Sequence, residues 1–266
     1  MEITSKENRL IKDVRHLMTQ ARFRRESGRF AVEGARLCRD AALSDVTVET
    51  VLYTAKAAEK YAAYLEPLAA RDVPMHTVTE ELSAYMADTA TPQGVFCLCR
   101  RAERTATGAD MAKEGRYLAL ENVQDPANLG AVIRTAEAMG VSGILLSAGC
   151  CDPYNPKVLR ASMGGVFRLP LFETADMTAE IEALQDRGFT CYAAVVSATA
   201  RSVLDVAFAD GCVCFVGNEG NGLTAQTAAA CDERITIPMA GRAESLNASM
   251  AAGILLWEMM KTAEGR

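Results

Sequence analysis

Residues 122–140 read NVQDPANLGAVIRTAEAMG, and two distant segments complete them: VGNEGNGL at 216–223 and IPMAGRAESLNASMAAGILLWE at 237–258. Each combines a short apolar strand, a loop of Asn, Gly, Pro and small polar residues, and a helix. Open α/β sheets assemble ligand sites in this way, at the carboxyl ends of their strands. In the first segment Asn128 stands at the expected helix N-cap, and Leu129, Val132, Ile133, Ala136 and Met139 follow at one-stripe spacing until Gly140. Arg134 lies roughly 140° from Leu129 on a wheel of 3.6 residues per turn, so it points away from that stripe.

The second segment leaves the apolar run Cys212–Val216, turns through Gly217, Asn218, Glu219, Gly220, Asn221 and Gly222, and restarts as a helix after Thr224. Its spacing is GxxGxG rather than the GxGxxG of a dinucleotide fold, which argues against a nicotinamide site. In the third, a strand over 234–237 stops at Pro238, and a helix is expected to begin near Ser245. That crowds Glu244, Ser245, Leu246 and Asn247 at a helix N-terminus, where unsatisfied amides favour polar or anionic groups, and Ser245 taken alone reads as the cap. The apolar run from Ala248 to Trp257 is too short to span a bilayer, which takes about 18 residues or more, and reads as a buried helix.

The order and wording of these segments resemble the SpoU-type (TrmH-like) RNA ribose 2′-O-methyltransferases of the SPOUT superfamily. NLGAVIRTAEAMG resembles that family's first motif, GNEGNGL its second and IPMAGRAESLNASMAA its third, and YNPKVLRASMGGVFRLP at 154–170 also reads like family sequence. The resemblance implies a C-terminal α/β domain, 116–266, whose parallel sheet ends in a trefoil knot. It also implies a homodimer and S-adenosylmethionine as cofactor. On the same ground Arg134, Asn128, Glu219, Ser245 and Asn247 are the expected catalytic set. Gly217, Asn218, Ile237, Pro238, Met239 and Leu246 are expected to hold the cofactor. Other readings are a tRNA 2′-O-methyltransferase, a methyltransferase acting on another target, and a noncatalytic RNA-binding or ribosome-assembly protein that keeps the fold.

Composition narrows the alternatives. The 266 residues include two histidines, His16 and His76, both outside the motif-bearing half, so a Ser-His or Cys-His relay is hard to assemble. No GxxxxGK[ST] sequence is present. Nine cysteines with no CxxC, several on apolar strands, read as buried small hydrophobes in a reducing compartment, with neither disulfides nor metal expected. Neither a secretory leader nor a transmembrane run is evident, so a cytoplasmic protein without membrane partners is expected.

A net charge of −6 sits badly with a nucleic-acid partner until its distribution is considered. Residues 1–30 hold eight basic and four acidic side chains, giving +4 and leaving −10 for the rest. Arg9, Lys12, Arg15, Arg22, Arg24 and Arg25 are the expected RNA contacts of this basic N-terminal helix, with Thr4 and Glu7 as a capping box and Leu10, Ile11, Val14, Leu17 and Met18 on its apolar arc. The charged stretch 101–115 reads as a linker. Before it, the helix and strand signals of 1–100 predict a small α/β module. Its RFAVEGARL and TATPQGVFCLC phrases resemble the ribosomal-protein-like substrate-binding domain of many SpoU-type enzymes, which favours ribosomal RNA over tRNA.

Overall fold

The structure, a computed structural model, describes residues 2–101 and 106–263. It comprises two compact units, Met1–Arg104 with Asp152–Arg168, and Thr105–Cys151 with Leu169–Arg266. In chain order the first stretch holds β1 (Glu2–Ile3), α1 (Arg9–Thr19), α2 (Ala21–Ser27), β2 (Arg29–Glu33), α3 (Ala35–Ala42), β3 (Thr47–Thr54), α4 (Ala55–Lys60), α5 (Ala62–Ala69), β4 (Met75–Val78), α6 (Glu80–Met86) and β5 (Val95–Arg100). Then come β6 (Arg116–Leu120), α7 (Pro126–Met139), β7 (Gly143–Ser147), α8 (Pro156–Ala161), β8 (Leu171–Thr174), α9 (Met177–Asp186), β9 (Thr190–Ala194), β10 (Arg201–Ser202), β11 (Cys212–Val216), α10 (Ala225–Ala230), β12 (Glu233–Thr236) and α11 (Ala248–Ala263).

The first unit is a five-stranded sheet in the order β1-β4-β3-β5-β2, with β5 antiparallel to both neighbours and the remaining pairs parallel. The apolar arc of α1 does what its spacing predicts: Ile11, Val14, Leu17 and Met18 are buried beside Ala31, Leu52, Phe96 and Leu98 of the sheet. The cap differs. Asn8 accepts the Leu10 amide at 2.9 Å, whereas Ser5 rather than Thr4 receives the Glu7 amide. Asn8 stands immediately before the helix, so its short amide reaches N2 and displaces the capping box.

The second unit is a parallel seven-stranded sheet, β10-β12-β9-β11-β6-β7-β8. Its central strands β6 and β11 are buried at every position, as a sheet covered on both faces requires. The chain runs outward from β6 through β7 to β8, then returns on the other side of β6. This reversal puts the switch point, and the crevice at the strand ends, beside β6 and β11. Six of the nine cysteines are fully buried, and burial pushes the thiols of Cys212 and Cys231 up to about 12, so they remain neutral. Among the described residues no helix is long and apolar enough to cross a membrane, and no cluster of His, Cys, Asp or Glu could hold a metal ion.

Two expectations about organisation need correction. Part of the expected linker, 102–105, lies outside the described residues. Its later part belongs to the second unit: Thr107 and Asp110 cap a short turn at Gly108–Asp110, Met111 is buried in the core, and Arg187 donates to the Gly108 and Met111 carbonyls, each at 2.5 Å. The domain 116–266 is also not compact throughout, because Asp152–Arg168 leaves between β7 and β8 and packs in the first unit. There Phe30 meets Tyr154 and Phe167 at ring distances of 4.5 and 6.3 Å.

The same segment removes Arg24 from the expected RNA contacts. Arg24 is 2 % exposed, with Nε 2.6 Å from the Asp152 carboxylate and Nη1 donating to the Leu17 carbonyl at 2.7 Å. A helical period cannot reveal an acid that arrives from 128 residues downstream. Breaking a buried pair leaves an uncompensated charge, so Arg24→Ala is expected to cost about 3–5 kcal/mol of stability. Chemical denaturation checks this, and an unchanged midpoint would contradict it. Elsewhere on the arm Lys12 pairs with Glu7, Arg22 with Glu26, and Arg15 donates to the Ala87 carbonyl beside the Tyr85 ring, while Arg9 and Arg25 stay exposed.

Candidate active site

The three loops meet at the carboxyl ends of β6, β9, β11 and β12. The first loop leads into α7 through Asp125, whose side chain accepts the Ala127 amide at 2.8 Å, with Pro126 opening the helix. Asn128 is therefore not the cap. Pro suits the first helical turn because it lacks an amide hydrogen, and Asp before it is the natural acceptor. Asn128 falls inside that turn, 8 % exposed, and its side chain is free for another task.

That task is to join the loops. Asn128 Nδ2 donates to Glu219 Oε1 at 2.9 Å, and Asn128 Oδ1 accepts from Asn247 Nδ2 at 3.0 Å. Asn247 Oδ1 in turn accepts from the backbone of Ser249 and Met250 and from the Ser249 hydroxyl. Asn247, not Ser245, is thus the cap of α11, which starts three residues later than expected. Each amide has one orientation that satisfies all of these bonds, so the chain of donors is directional and ends on the carboxylate. An unbroken hydrogen-bonded line runs from Glu219 through Asn128 to the N-terminus of α11.

The glycine-rich loop is braced separately. Asn218 and Gly222 exchange backbone hydrogen bonds, and the Asn218 side chain accepts the amides of Gly220 and Asn221 while donating to the Asn122 carbonyl at 2.7 Å. Gly217 is required by this closure. A Cβ there would lie 1.9 Å from the Gly222 carbonyl carbon and 2.0 Å from the Leu223 nitrogen, and backbone cannot step aside cheaply. Gly217→Ala is therefore expected to open the loop, with thermal unfolding registering a loss of a few kcal/mol, roughly 2–4. A variant as stable as the parent would disprove the packing argument.

Glu121, one residue before the first motif, is the brace that sequence reasoning passed over. It is buried, and its carboxylate accepts the Thr224 amide at 2.7 Å and the hydroxyls of Thr224 and Thr227 at 3.1 and 2.5 Å. An acid ending an otherwise apolar strand was the available signal. Thr224 also caps α10, as the sequence predicts for the restart of the chain.

These loops surround a cavity of about 480 Å³. Gly217, Asn218, Ile237, Met239 and Leu246 line it, together with Val195, Val216 and Leu223, while Pro238 is exposed and does not. Glu219 and Ser245 reach it, and Glu244 is a further lining acid. Ile237 and Met239 follow a strand that ends at Thr236 rather than at 237. Asn128 and Asn247 act behind the wall, through Glu219. Arg134 is exposed on α7 and is not among the lining residues. Met250 and Trp257, 61 % and 58 % exposed, stand seven residues apart on α11, so they share a face, and Gly253 between them approaches Thr135, the neighbour of Arg134. The expected apolar face of α11 is otherwise covered, since Leu255, Leu256 and Met259 are buried.

Comparison with known proteins agrees with this geometry. Residues 115–257 match the SpoU rRNA Methylase family and residues 8–97 an MRM3-like substrate binding domain. An uncharacterized tRNA/rRNA methyltransferase of Synechocystis is 34 % identical over 96 % of this chain and 92 % of its own length. The 23S rRNA (guanosine(2553)-2′-O)-methyltransferase RlmP of Bacillus subtilis is 29 % identical over 97 % of this chain and 98 % of its own. The AdoMet-bound rRNA methyltransferase of Sinorhizobium meliloti superposes with a TM-score of 0.84 at 32 % identity, covering 98 % of this chain and 97 % of that one. With its three motif loops gathered on one crevice and a family match over more than half its length, the chain belongs to the SpoU rRNA methylase family.

Proposed function

We propose that the protein transfers a methyl group from S-adenosylmethionine to a ribose 2′-hydroxyl of ribosomal RNA. The observation that carries this reading is the cavity with its lining. Its size falls within the usual range for small-molecule sites, about 300–1,000 Å³, and its walls are mostly apolar, as adenine requires. Its charged lining residues, Glu219 and Glu244, are both acids, which suits a ligand carrying a sulfonium and an ammonium against one carboxylate. Gly217, Asn218, Ile237, Met239 and Leu246 would hold that ligand, with Pro238 shaping the loop from outside. When bound, it supplies an electrophilic methyl group.

The chain's own residues do the rest. A ribose hydroxyl must lose its proton as it attacks, and arginine, with a pKa above about 12, is a poor base. Arg134 is assigned the role of a cationic clamp that holds the target phosphate and ribose in line and stabilises the developing alkoxide, with the hydroxyl proton passing late to water. Ser245, exposed at the mouth, would position the hydroxyl. Glu219 would orient the guanidinium. Asn128 and Asn247, whose polar atoms are already engaged, are positioning residues.

The substrate-binding half and the ribosomal-RNA relatives favour rRNA over tRNA, and the neutral buried thiols fit a reducing cytoplasm. The proposal includes the trefoil knot at the C-terminal end of the sheet and a homodimer. The dimer would cover the Met250–Trp257 stripe and bring Arg134, which a single chain leaves outside the cavity, to a second copy's site. Trp257→Glu is expected to convert the dimer to a monomer of 28.6 kDa in light scattering; a parent chain that is itself monomeric would count against the interface.

Mapping 2′-O-methyl groups in total RNA with and without the gene tests the function. Loss of one rRNA site is expected, and a 2′-deoxy nucleotide at that site should abolish methylation. Continued methylation of the deoxy substrate would overturn the ribose assignment.

A further inference from the structure

We infer that the turn at Arg160–Arg168 is an RNA-contacting site in its own right, in which Met163 packs on an exposed base while Lys157 and Arg168 face the adjoining phosphates. The inference rests on the RNA reading above and goes beyond it, because these residues lie in the family-like stretch 154–170, to which no role is given, and outside the expected basic arm.

The starting observation is strain. Three non-glycine residues among those described have positive φ: Asp72, Asn122 and Met163, the last at 51°. Asp and Asn tolerate this region through local hydrogen bonds, but an apolar methionine has no such compensation. The turn enforces it. The Met163 amide donates to the Arg160 carbonyl at 3.2 Å, Gly165 donates to Ser162 at 2.9 Å, and Gly164 continues at φ 81°. Stability alone would place Gly or Asn there. Instead the strained backbone carries an apolar side chain that is 36 % exposed. Strain kept at a surface apolar tip is a mark of function rather than of folding.

The second observation is the company it keeps. Arg168 Nη2 donates to the Met163 carbonyl at 3.4 Å, and Lys157 and Arg160 share a face of α8 by their spacing. Lys157 is exposed and makes no ion pair among the described residues. Arg160 gives one Nη to Asp88 at 2.6 Å, while the other is buried without an acceptor. Asp40 lies 3.7 Å from Arg168, and Arg36, one turn from Asp40 on α3, is exposed and cationic. Exposed Lys157 and Arg36 and the half-exposed Arg168, beside an apolar tip, suit a polyanion with exposed flat apolar faces. Single-stranded RNA has that chemistry, since apolar wedges insert at base steps and phosphates recruit the surrounding cations.

Two variants test the site, with deproteinised host ribosomal RNA as the probe. Met163→Gly suits the positive φ, so its thermal midpoint should stay level or rise, while RNA affinity falls about five- to ten-fold. Lys157→Ala should weaken binding about three-fold and reduce the salt slope by about one phosphate contact. Affinity for S-adenosylmethionine should not change in either. Parental RNA affinity in both variants, or a loss in Met163→Gly that only follows a lowered midpoint, would overturn the inference while wild-type methylation stands. Failure of the wild-type chain to bind or methylate rRNA would overturn the RNA reading, and the inference with it.

Discussion

Arg134→Lys is expected to lower turnover at saturating RNA and cofactor by about two orders of magnitude or more while leaving cofactor affinity within about two-fold. Lysine keeps the charge but loses the planar fork that can grip a phosphate and a ribose oxygen together. The separation of effects follows from position. Arg134 is exposed on α7 and lines no part of its own chain's cavity, and at the second copy's site its proposed partners are the RNA phosphate and ribose, so losing its fork is expected to spare cofactor affinity. Single-turnover methylation and calorimetry measure the two quantities independently. Near-parental turnover would reject the clamp; a matching fall in cofactor affinity would reject its separation from the cavity.

The second large effect is expected from Asn128→Asp, which is nearly isosteric. In the parent, Asn128 Nδ2 donates to Glu219 Oε1 at 2.9 Å. The variant sets two carboxylates at that distance, and like charges so close cannot both ionise without a heavy penalty. At neutral pH the pair is expected to push apart, disturb the Glu219 loop and lower turnover about 100-fold. The sign with pH follows from the shared proton. Repulsion raises the pair's affinity for a proton, and a protonated pair restores the lost donor, so activity relative to the parent should recover as pH falls. A pH–rate profile checks this, and a deficit independent of pH would show that charge at this position is immaterial.

The sequence disclosed those parts of the molecule that depend on local order. The apolar arc of α1 is readable because helical period reports which side is buried, and the strand Cys212–Val216 because an unbroken apolar run marks a strand covered on both faces. The glycine cluster after Val216 was readable only as a turn, and its proposed cofactor role came from the family resemblance, not from local pattern. Caps shifted by a few residues, from Asn128 to Asp125 and from Ser245 to Asn247, because several polar residues in each loop could serve and geometry selects among them. The partners of long-range polar pairings had no signature in the sequence. Arg24 looked like its neighbours Arg22 and Arg25 until Asp152 was seen beside it, and Glu121 looked like a strand end until Thr224 and Thr227 were seen to point at it. Burial by a distant segment is a property of the folded chain, so a charge count cannot foresee it.

The excursion Asp152–Arg168 makes the two halves inseparable as fragments. Anyone wishing to express the N-terminal half alone would cut near residue 101, and would thereby strip Phe30 of Tyr154 and Phe167 and leave Arg24 without its acid. Such a fragment should be prone to association, because a newly bared aromatic edge on strand β2 seeks another cover. The same arithmetic applies to recombination. A substrate-binding module can be exchanged between relatives of this architecture only if the piece lying between β7 and β8 travels with it, so inheritance of RNA specificity should follow two stretches of the gene that are far apart.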